Sequence, residues 1–261
     1  MTPELSAKIQ KLPGPILVLG ASGFVGANLL RMLLSVRDDA YGTFFHHPAW
    51  RLAGLPDGNV IQADLLIDAN MDELLLRIRP RTVFNCIAYG AYSFETAGDL
   101  IYETNFNLTV RLLQRLQQLP VSCYVHSGSS SEYGDRAAGP KEADLPQPNS
   151  DYAVSKVAVA NLLEFYGKKK RFPCANLRLF SIYGPYEDAS RLIPAVIKAG
   201  LAGGYPPFVS KDISRDFVYV DDACEAYVDT ALKLPAEHYG ESFNIGSGRK
   251  TTIGDVATVA A

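Results

Sequence analysis

The feature that most constrains this chain is a turn spaced by glycines. The apolar run Ile16–Leu19 leads straight into Gly20-Ala21-Ser22-Gly23-Phe24-Val25-Gly26, and a stretch of helical period, Phe24–Ser35, follows it. A strand that bends this sharply into a helix needs residues without a Cβ at the bend and where the helix packs back on the strand. The helix then presents unpaired N–H groups to the turn, which suits the negative charge of a phosphate or pyrophosphate. A strand before, a helix after and first place in a βαβ pattern are the context in which G-x-x-G-x-x-G binds a dinucleotide. Gly20, Ser22, Gly23, Phe24, Val25 and Gly26 are therefore the expected cofactor-binding turn. No Lys-Ser/Thr pair follows, so a nucleoside-triphosphate loop is not supported.

The rest of the chain carries the pattern on. Short apolar runs at Ile16–Leu19, Ala40–Phe45, Val60–Gln62, Thr82–Ile87, Ser122–His126 and Cys174–Leu179 predict strands. Segments of helical period at Phe24–Ser35, Met71–Arg79, Leu100–Gln118 and Asp151–Lys169 lie between them, with Asn70 as the expected N-cap of the second and Pro80 as its stop. The alternation predicts an α/β fold, a doubly wound parallel sheet covered on both faces. Beyond about residue 180, Gly184, Pro185, Gly203, Gly204, Pro206 and Pro207 break the chain into shorter pieces. The expected division is a dinucleotide-binding domain over 1–180 and a smaller lobe over 181–261, interleaved with it.

Composition excludes several classes. With 261 residues, 48% of them hydrophobic, and a net charge of -3, the chain is neither disordered nor a basic nucleic-acid binder. Cys86, Cys123, Cys174 and Cys224 are far apart, and neither they nor His46, His47, His126 and His238 show metal-ligand spacing, so no metal is expected. Leu12–Leu30 lacks charge, but Pro13, Pro15, Gly20, Gly23 and Gly26 interrupt it, which argues against a membrane span. The expected location is cytoplasmic.

Two features bear on the choice of dinucleotide. A carboxylate at the end of the second strand usually holds the adenosine ribose, yet this strand ends Thr43-Phe44-Phe45-His46-His47, with Asp38 and Asp39 at its other end. Without that carboxylate a 2′-phosphate is not repelled, and His46, His47 or Arg51 would supply donors to it, which tilts the expectation within NAD(P) toward NADP(H). Asp64, after the third strand, is placed to accept from the adenine amino group or to cap the next helix.

The chemistry points to a tyrosine. Tyr152 and Lys156 stand at i and i+4 on one helical face, where the cation would favour the phenolate and lower its pKa. Tyr166 and Lys170 repeat the spacing in a basic helix end expected to be solvated. Only Tyr152 opens its helix after a serine-rich strand end, Ser127-Gly128-Ser129-Ser130-Ser131-Glu132-Tyr133-Gly134, whose hydroxyls would hydrogen-bond an alcohol or carbonyl. The spacing does not fit a G-x-S-x-G hydrolase elbow.

Taken in order, the glycine turn, Asp64-Leu65, Asn85-Cys86-Ile87-Ala88, Ser129 before Tyr133-Gly134, Tyr152 with Lys156, Leu177 to Pro185 and Ser214 to Asp222 resemble the extended short-chain dehydrogenase/reductases. These are the sugar-nucleotide epimerases, dehydratases and reductases, and the match runs from about residue 14 to the end. The resemblance implies a Rossmann fold, bound NAD(P), hydride transfer at a sugar carbon, and a nucleoside-diphosphate sugar held by the C-terminal lobe. It implies Ser129, Tyr152 and Lys156 as catalytic residues. Asp64, Leu65, Ala88 and His46 would border the dinucleotide, with Asn105 supporting the lysine through a water. Ser130, Ser181, Arg191 and Arg215 would contact the substrate.

Within that family, 4,6-dehydratases carry an acid pair directly after the catalytic hydroxyl. Ser130 and Ser131 occupy those positions here, so elimination is disfavoured and a 4-epimerase or a 4-keto-6-deoxyhexose reductase is expected. The alternative is a dinucleotide-binding sensor or scaffold without catalysis. The resemblance also suggests a homodimer through Leu100–Gln118 and Asp151–Lys169. Phe243 to Gly248 usually precedes more of the substrate lobe, so the C-terminal lobe is expected to be partly truncated.

Overall fold

The computed structural model describes every residue except 47–48, 93, 137–138, 205–209 and 261. Its strands are β1 (Ile16–Leu19), β2 (Ala40–Phe44), β3 (Val60–Gln62), β4 (Thr82–Asn85), β5 (Cys123–Ser129), β6 (Cys174–Leu179), β7 (Ser181–Tyr183), β8 (Ser214–Arg215), β9 (Phe217–Tyr219), β10 (Ser242–Ile245) and β11 (Thr251–Thr252). Seven of them form one sheet in the order β10-β6-β5-β4-β1-β2-β3, all parallel. β7 pairs with β9, and β8 with β11, as two small ribbons beside it. Three of the six expected strands keep their expected bounds.

Parallel crossovers place helices on both faces, and β1 shows why its sequence is apolar throughout. Ile16 and Val18 pack into the core on one side of the sheet, Leu17 and Leu19 into the core on the other, and all four are fully buried. On the first side lie α1 (Pro3–Lys11), α2 (Phe24–Leu34) and, from late in the chain, α8 (Val220–Lys233). The second side takes α3 (Asp68–Ile78), α5 (Leu108–Leu116) and α6 (Asp151–Lys170). Truncating Leu17 or Leu19 to alanine would cost about 2–5 kcal/mol by cavity formation.

Three details differ from the sequence expectation. α3 starts earlier, with Ile67 as its N-cap, and Asn70 lies inside it donating to the Asp64 carbonyl at 3.0 Å. The expected single helix Leu100–Gln118 is α4 (Gly98–Tyr102) and α5 joined by a π turn at Glu103–Asn107, which holds the buried Asn105. α1 was not expected, because only Leu5 and Ile9 of its residues are apolar and buried. Thr2 caps it, and Lys8 fixes it to α8 through Glu225 at 2.8 Å and Asp229 at 3.1 Å.

Candidate active site

Strand order reverses between β1 and β4, and the crevice at the carboxyl ends of these strands is where such sheets bind ligands. Gly20 ends β1 with φ +72, and a Cβ there would lie 2.8 Å from the Ile87 nitrogen. Gly26 is as tightly placed, since its Cβ would sit 2.4 Å from the Gly20 carbonyl oxygen. Gly23 is the N-cap of α2 and offers no side chain to its N–H groups. Those donors have no partner within the helix, so they are left for a ligand.

Above this turn runs a cavity of about 1200 Å³. Its walls include Gly20, Ser22, Gly23, Phe24, Val25, Gly26, His46, Asp64, Leu65 and Ala88 toward one end, and Ser129, Ser130, Tyr152, Lys156, Ser181, Arg191 and Arg215 toward the other. Every expected site residue but Asn105 lines it. A glycine turn that admits no side chain, an uncapped helix end and a cavity continuous with Tyr152 and Lys156 fit a nicotinamide dinucleotide. Among the described residues no cluster of His, Cys, Asp and Glu could hold a metal ion.

The polar side chains are set by local bonds. Burial pushes the Tyr152 phenol up to about 12, even though part of the side chain lines the cavity; Ser129 pulls it back, while Glu132 and Glu95 push it further up. Burial brings Lys156 down to about 8. Its ammonium donates to the Ser127 carbonyl at 2.8 Å and lies 5.6 Å from the centre of the Tyr152 ring. The expected lowering of the Tyr152 pKa by Lys156 is therefore not found: burial raises the phenol, and the ammonium is tied to a carbonyl.

Asn105 also departs from expectation. Its amide donates to the Tyr89 carbonyl and to Ser155 Oγ, both at 2.9 Å, and accepts from Tyr89 N–H at 2.9 Å. It braces the loop after β4 against α6 and does not face the cavity. Asp64 lines the cavity, but its Oδ1 already accepts from Leu66 N–H at 3.0 Å. Tyr166, of the second Tyr/Lys pair, is buried in the core, with Lys170 stacked over its ring at 4.2 Å, and neither lines the cavity.

Of the donors expected for a 2′-phosphate, Arg51 is engaged elsewhere. Arg51 gives Nε to the Tyr186 carbonyl at 2.7 Å and an Nη to the Ser22 carbonyl at 3.3 Å. His46 is exposed and packs on Phe45, and His47 lies outside the described residues. The tilt toward NADP(H) finds no support here.

Some contributors had no sequence signal. Glu95 accepts from the N–H groups of Gly90 at 2.9 Å and Tyr92 at 3.1 Å, shaping the loop beside Tyr152. Asp216 accepts from Ser247 and Gly248, pinning the segment after β10 beside Arg215. Glu95 closes a local turn that has no standard sequence signature, and Asp216 reaches backbone N–H groups some thirty residues on, which no local pattern announces.

A parallel sheet with a glycine-turned cradle at its switch point, opening onto a Ser-Tyr-Lys group, puts the chain in the Rossmann class of dinucleotide-fold proteins. Within it, residues 16–246 match the model of the NAD dependent epimerase/dehydratase family, and the chain belongs to that family. It is 29% identical to the UDP-glucose 4-epimerase of Mycolicibacterium smegmatis over 94% of this chain and 81% of that protein. It is 30% identical to a dTDP-glucose 4,6-dehydratase of Xanthomonas campestris over 88% of this chain and 70% of that one. Among solved structures, the UDP-glucuronic acid 4-epimerase of Bacillus cereus with UDP-glucuronic acid and NAD superposes with a TM-score of 0.80. That match is 27% identical and covers 94% of this chain and 81% of the other. The relatives include a 4,6-dehydratase beside the epimerases, so kinship does not bear out the expectation that set elimination aside.

Proposed function

We propose that this protein is a nucleoside-diphosphate-sugar oxidoreductase that uses NAD at the sugar C4, as a 4-epimerase. The observation that carries this is the single cavity joining the glycine turn to Ser129, Tyr152 and Lys156. A bound nicotinamide would accept and return the hydride. Tyr152 would take the proton from the sugar hydroxyl and give it back, with Ser129 holding the same oxygen. Lys156, tied to the Ser127 carbonyl, would hold the nicotinamide ribose. Arg215 and Arg191 would face the diphosphate, and Ser181 would add one hydrogen bond. In this reading residues 1–180 form most of the cofactor domain and 181–261 the substrate lobe, interleaved with it because α8 and β10 return to the main sheet, and the exposed Val154 and Phe165 on α6 suit a homodimer.

The second reading is a 4-keto-6-deoxyhexose reductase, supported by the serine-rich turn after β5. Elimination remains the less favoured chemistry on local grounds: Ser130 and Ser131 bring no acid, and Glu132 is held in a buried ion pair with Arg178 at 2.6 Å. To separate these, the purified protein is incubated with NAD or NADH and a panel of UDP-sugars and 4-keto-6-deoxy sugar nucleotides. Interconversion of 4-epimers without net loss of cofactor is the expected result. Stoichiometric consumption of NADH would favour reduction, and dinucleotide binding without any turnover would favour a sensor or scaffold.

A further inference from the structure

Chemistry at C4 leaves one choice open, which is whether C6 of the sugar is a hydroxymethyl group, as in UDP-glucose, or a carboxylate, as in UDP-glucuronic acid. On a hexose ring the groups beside C4 are the C3 hydroxyl and, through C5, the C6 substituent. Whatever side chain stands next to Tyr152 therefore meets one of these two.

The loop after β4 stands there. Gly90 packs directly against the tyrosine: a Cβ added to it would lie 3.5 Å from Tyr152 Cβ. Glu95 closes the loop around this glycine. Its Oε2 accepts the N–H of Gly90 at 2.9 Å and that of Tyr92 at 3.1 Å. Two backbone donors on one oxygen fix where the carboxylate stands. Oε1 has no hydrogen-bond partner among the described residues, and Glu95 lines the same cavity as Tyr152. A carboxylate oxygen only accepts, so the group that completes it is a donor such as a sugar hydroxyl.

The cations at this end of the cavity have other partners. Lys156 is tied to the Ser127 carbonyl at 2.8 Å. Arg191 stands 3.9 Å from Glu187 Oε1 and 5.7 Å from the centre of the Tyr92 ring, and Arg215 donates to the Ser214 carbonyl at 3.1 Å. In the proposed function both arginines serve the diphosphate. Glu95 forms no ion pair among the described residues, and Glu187, whose side chain is only 7% exposed, adds a second carboxyl group to this end. A further carboxylate brought in by the substrate would meet like charge in a confined space, which disfavours it strongly.

We propose that Glu95 selects the sugar: its open Oε1 accepts a hydrogen bond from a hydroxyl beside C4, and its charge turns away a carboxylate at C6. The substrate class is then the neutral hexose nucleotides and not the hexuronates. The selection rests on the functional assignment above and narrows it to one kind of sugar.

The test measures binding by calorimetry to the full chain saturated with NAD, in a Tyr152→Phe background so that bound sugar is not converted. The probes are UDP, UDP-glucose and UDP-glucuronic acid, and the same three in the dTDP series. The glucose form should bind about tenfold or more tightly than the glucuronic acid form. Glu95→Gln keeps an acceptor for the two loop N–H groups and removes the charge. It should bring the two affinities to within about threefold, chiefly by tightening the glucuronic acid form. A merely structural role would weaken both sugars alike and leave their ratio where it was, whatever the variant does to the melting temperature. An unchanged ratio in Glu95→Gln, or equal binding of the two sugars before the substitution, overturns the selection while the sugar-nucleotide reading stands. If none of the six probes binds, that reading fails and the selection falls with it.

Discussion

The two ends of the cavity are made of different material. The end proposed for the dinucleotide is built from backbone: Gly20, Gly23 and Gly26 place chain against chain, and the first turn of α2 has no side-chain cap. The end proposed for the sugar is lined by side chains of β5, α6, the segment before α7 (Leu192–Leu201) and β8. Backbone geometry tolerates almost no substitution, since a Cβ cannot be moved aside. Side chains are exchangeable, and a family that keeps one cofactor while changing its sugars would vary the second end and hold the first.

The comparison makes graded predictions. The largest effect is expected from Gly26→Ala, whose Cβ would meet the Gly20 carbonyl at 2.4 Å. Dinucleotide binding, measured by calorimetry, should be lost, and denaturant unfolding should show a loss of about 3 kcal/mol or more. Retained binding would show that the cradle is not set by backbone contact.

At the other end, Tyr152→Phe should leave dinucleotide affinity within a few-fold of wild type and reduce turnover about 10²–10⁴-fold. Loss of both together would mean that the two ends are not separable.

Glu187 tests burial at the sugar end. It lies on the wall shared with a smaller apolar cavity of about 770 Å³, its Oε2 has no hydrogen-bond partner among the described residues, and burial pushes its carboxyl up to about 7. A carboxyl raised in the folded state binds its proton more tightly there than when unfolded. Its stabilising contribution is complete at low pH and is lost as pH rises from about 4.5 through 7. Glu187→Gln should therefore gain on the order of 2 kcal/mol over wild type at pH 8 and nothing at pH 4, read from unfolding curves at the two pH values.

The smallest effect is expected from Arg215→Ala. The Arg215 guanidinium is exposed and donates only to its neighbour Ser214 among the described bonds, at 3.1 Å. Its loss should raise KM for a sugar nucleotide about tenfold, the worth of one charge-assisted hydrogen bond, with no change in melting temperature.

The same division decided what could be read from the sequence. The glycine turn was legible because its chemistry is local: the strand, the bend and the helix are consecutive, and the spacing records the contacts. Tyr152 and Lys156 were legible because i and i+4 share a helix face. Glu132 with Arg178, Glu95 with Gly90 and Tyr92, and Asp216 with Ser247 and Gly248 were not, since these partnerships are made by the turns and by the order of strands in the sheet. Arg51 was misread for the same reason: its sequence position suits a phosphate, but the loop bearing Tyr186 comes back from far along the chain and takes the guanidinium. β10 joins the sheet from the late part of the chain, beyond the alternating pattern that predicted the other six strands.

The most direct test follows the near-ultraviolet absorbance of reduced nicotinamide when protein loaded with NAD is mixed with a UDP-sugar. Hydride transfer within one cavity predicts a rise and return of that absorbance as 4-epimers interconvert, and no such signal in Tyr152→Phe with the same dinucleotide bound. A wild-type protein saturated with NAD that gives no signal with any sugar nucleotide of the panel, or a Tyr152→Phe variant that gives the full signal, would contradict the account.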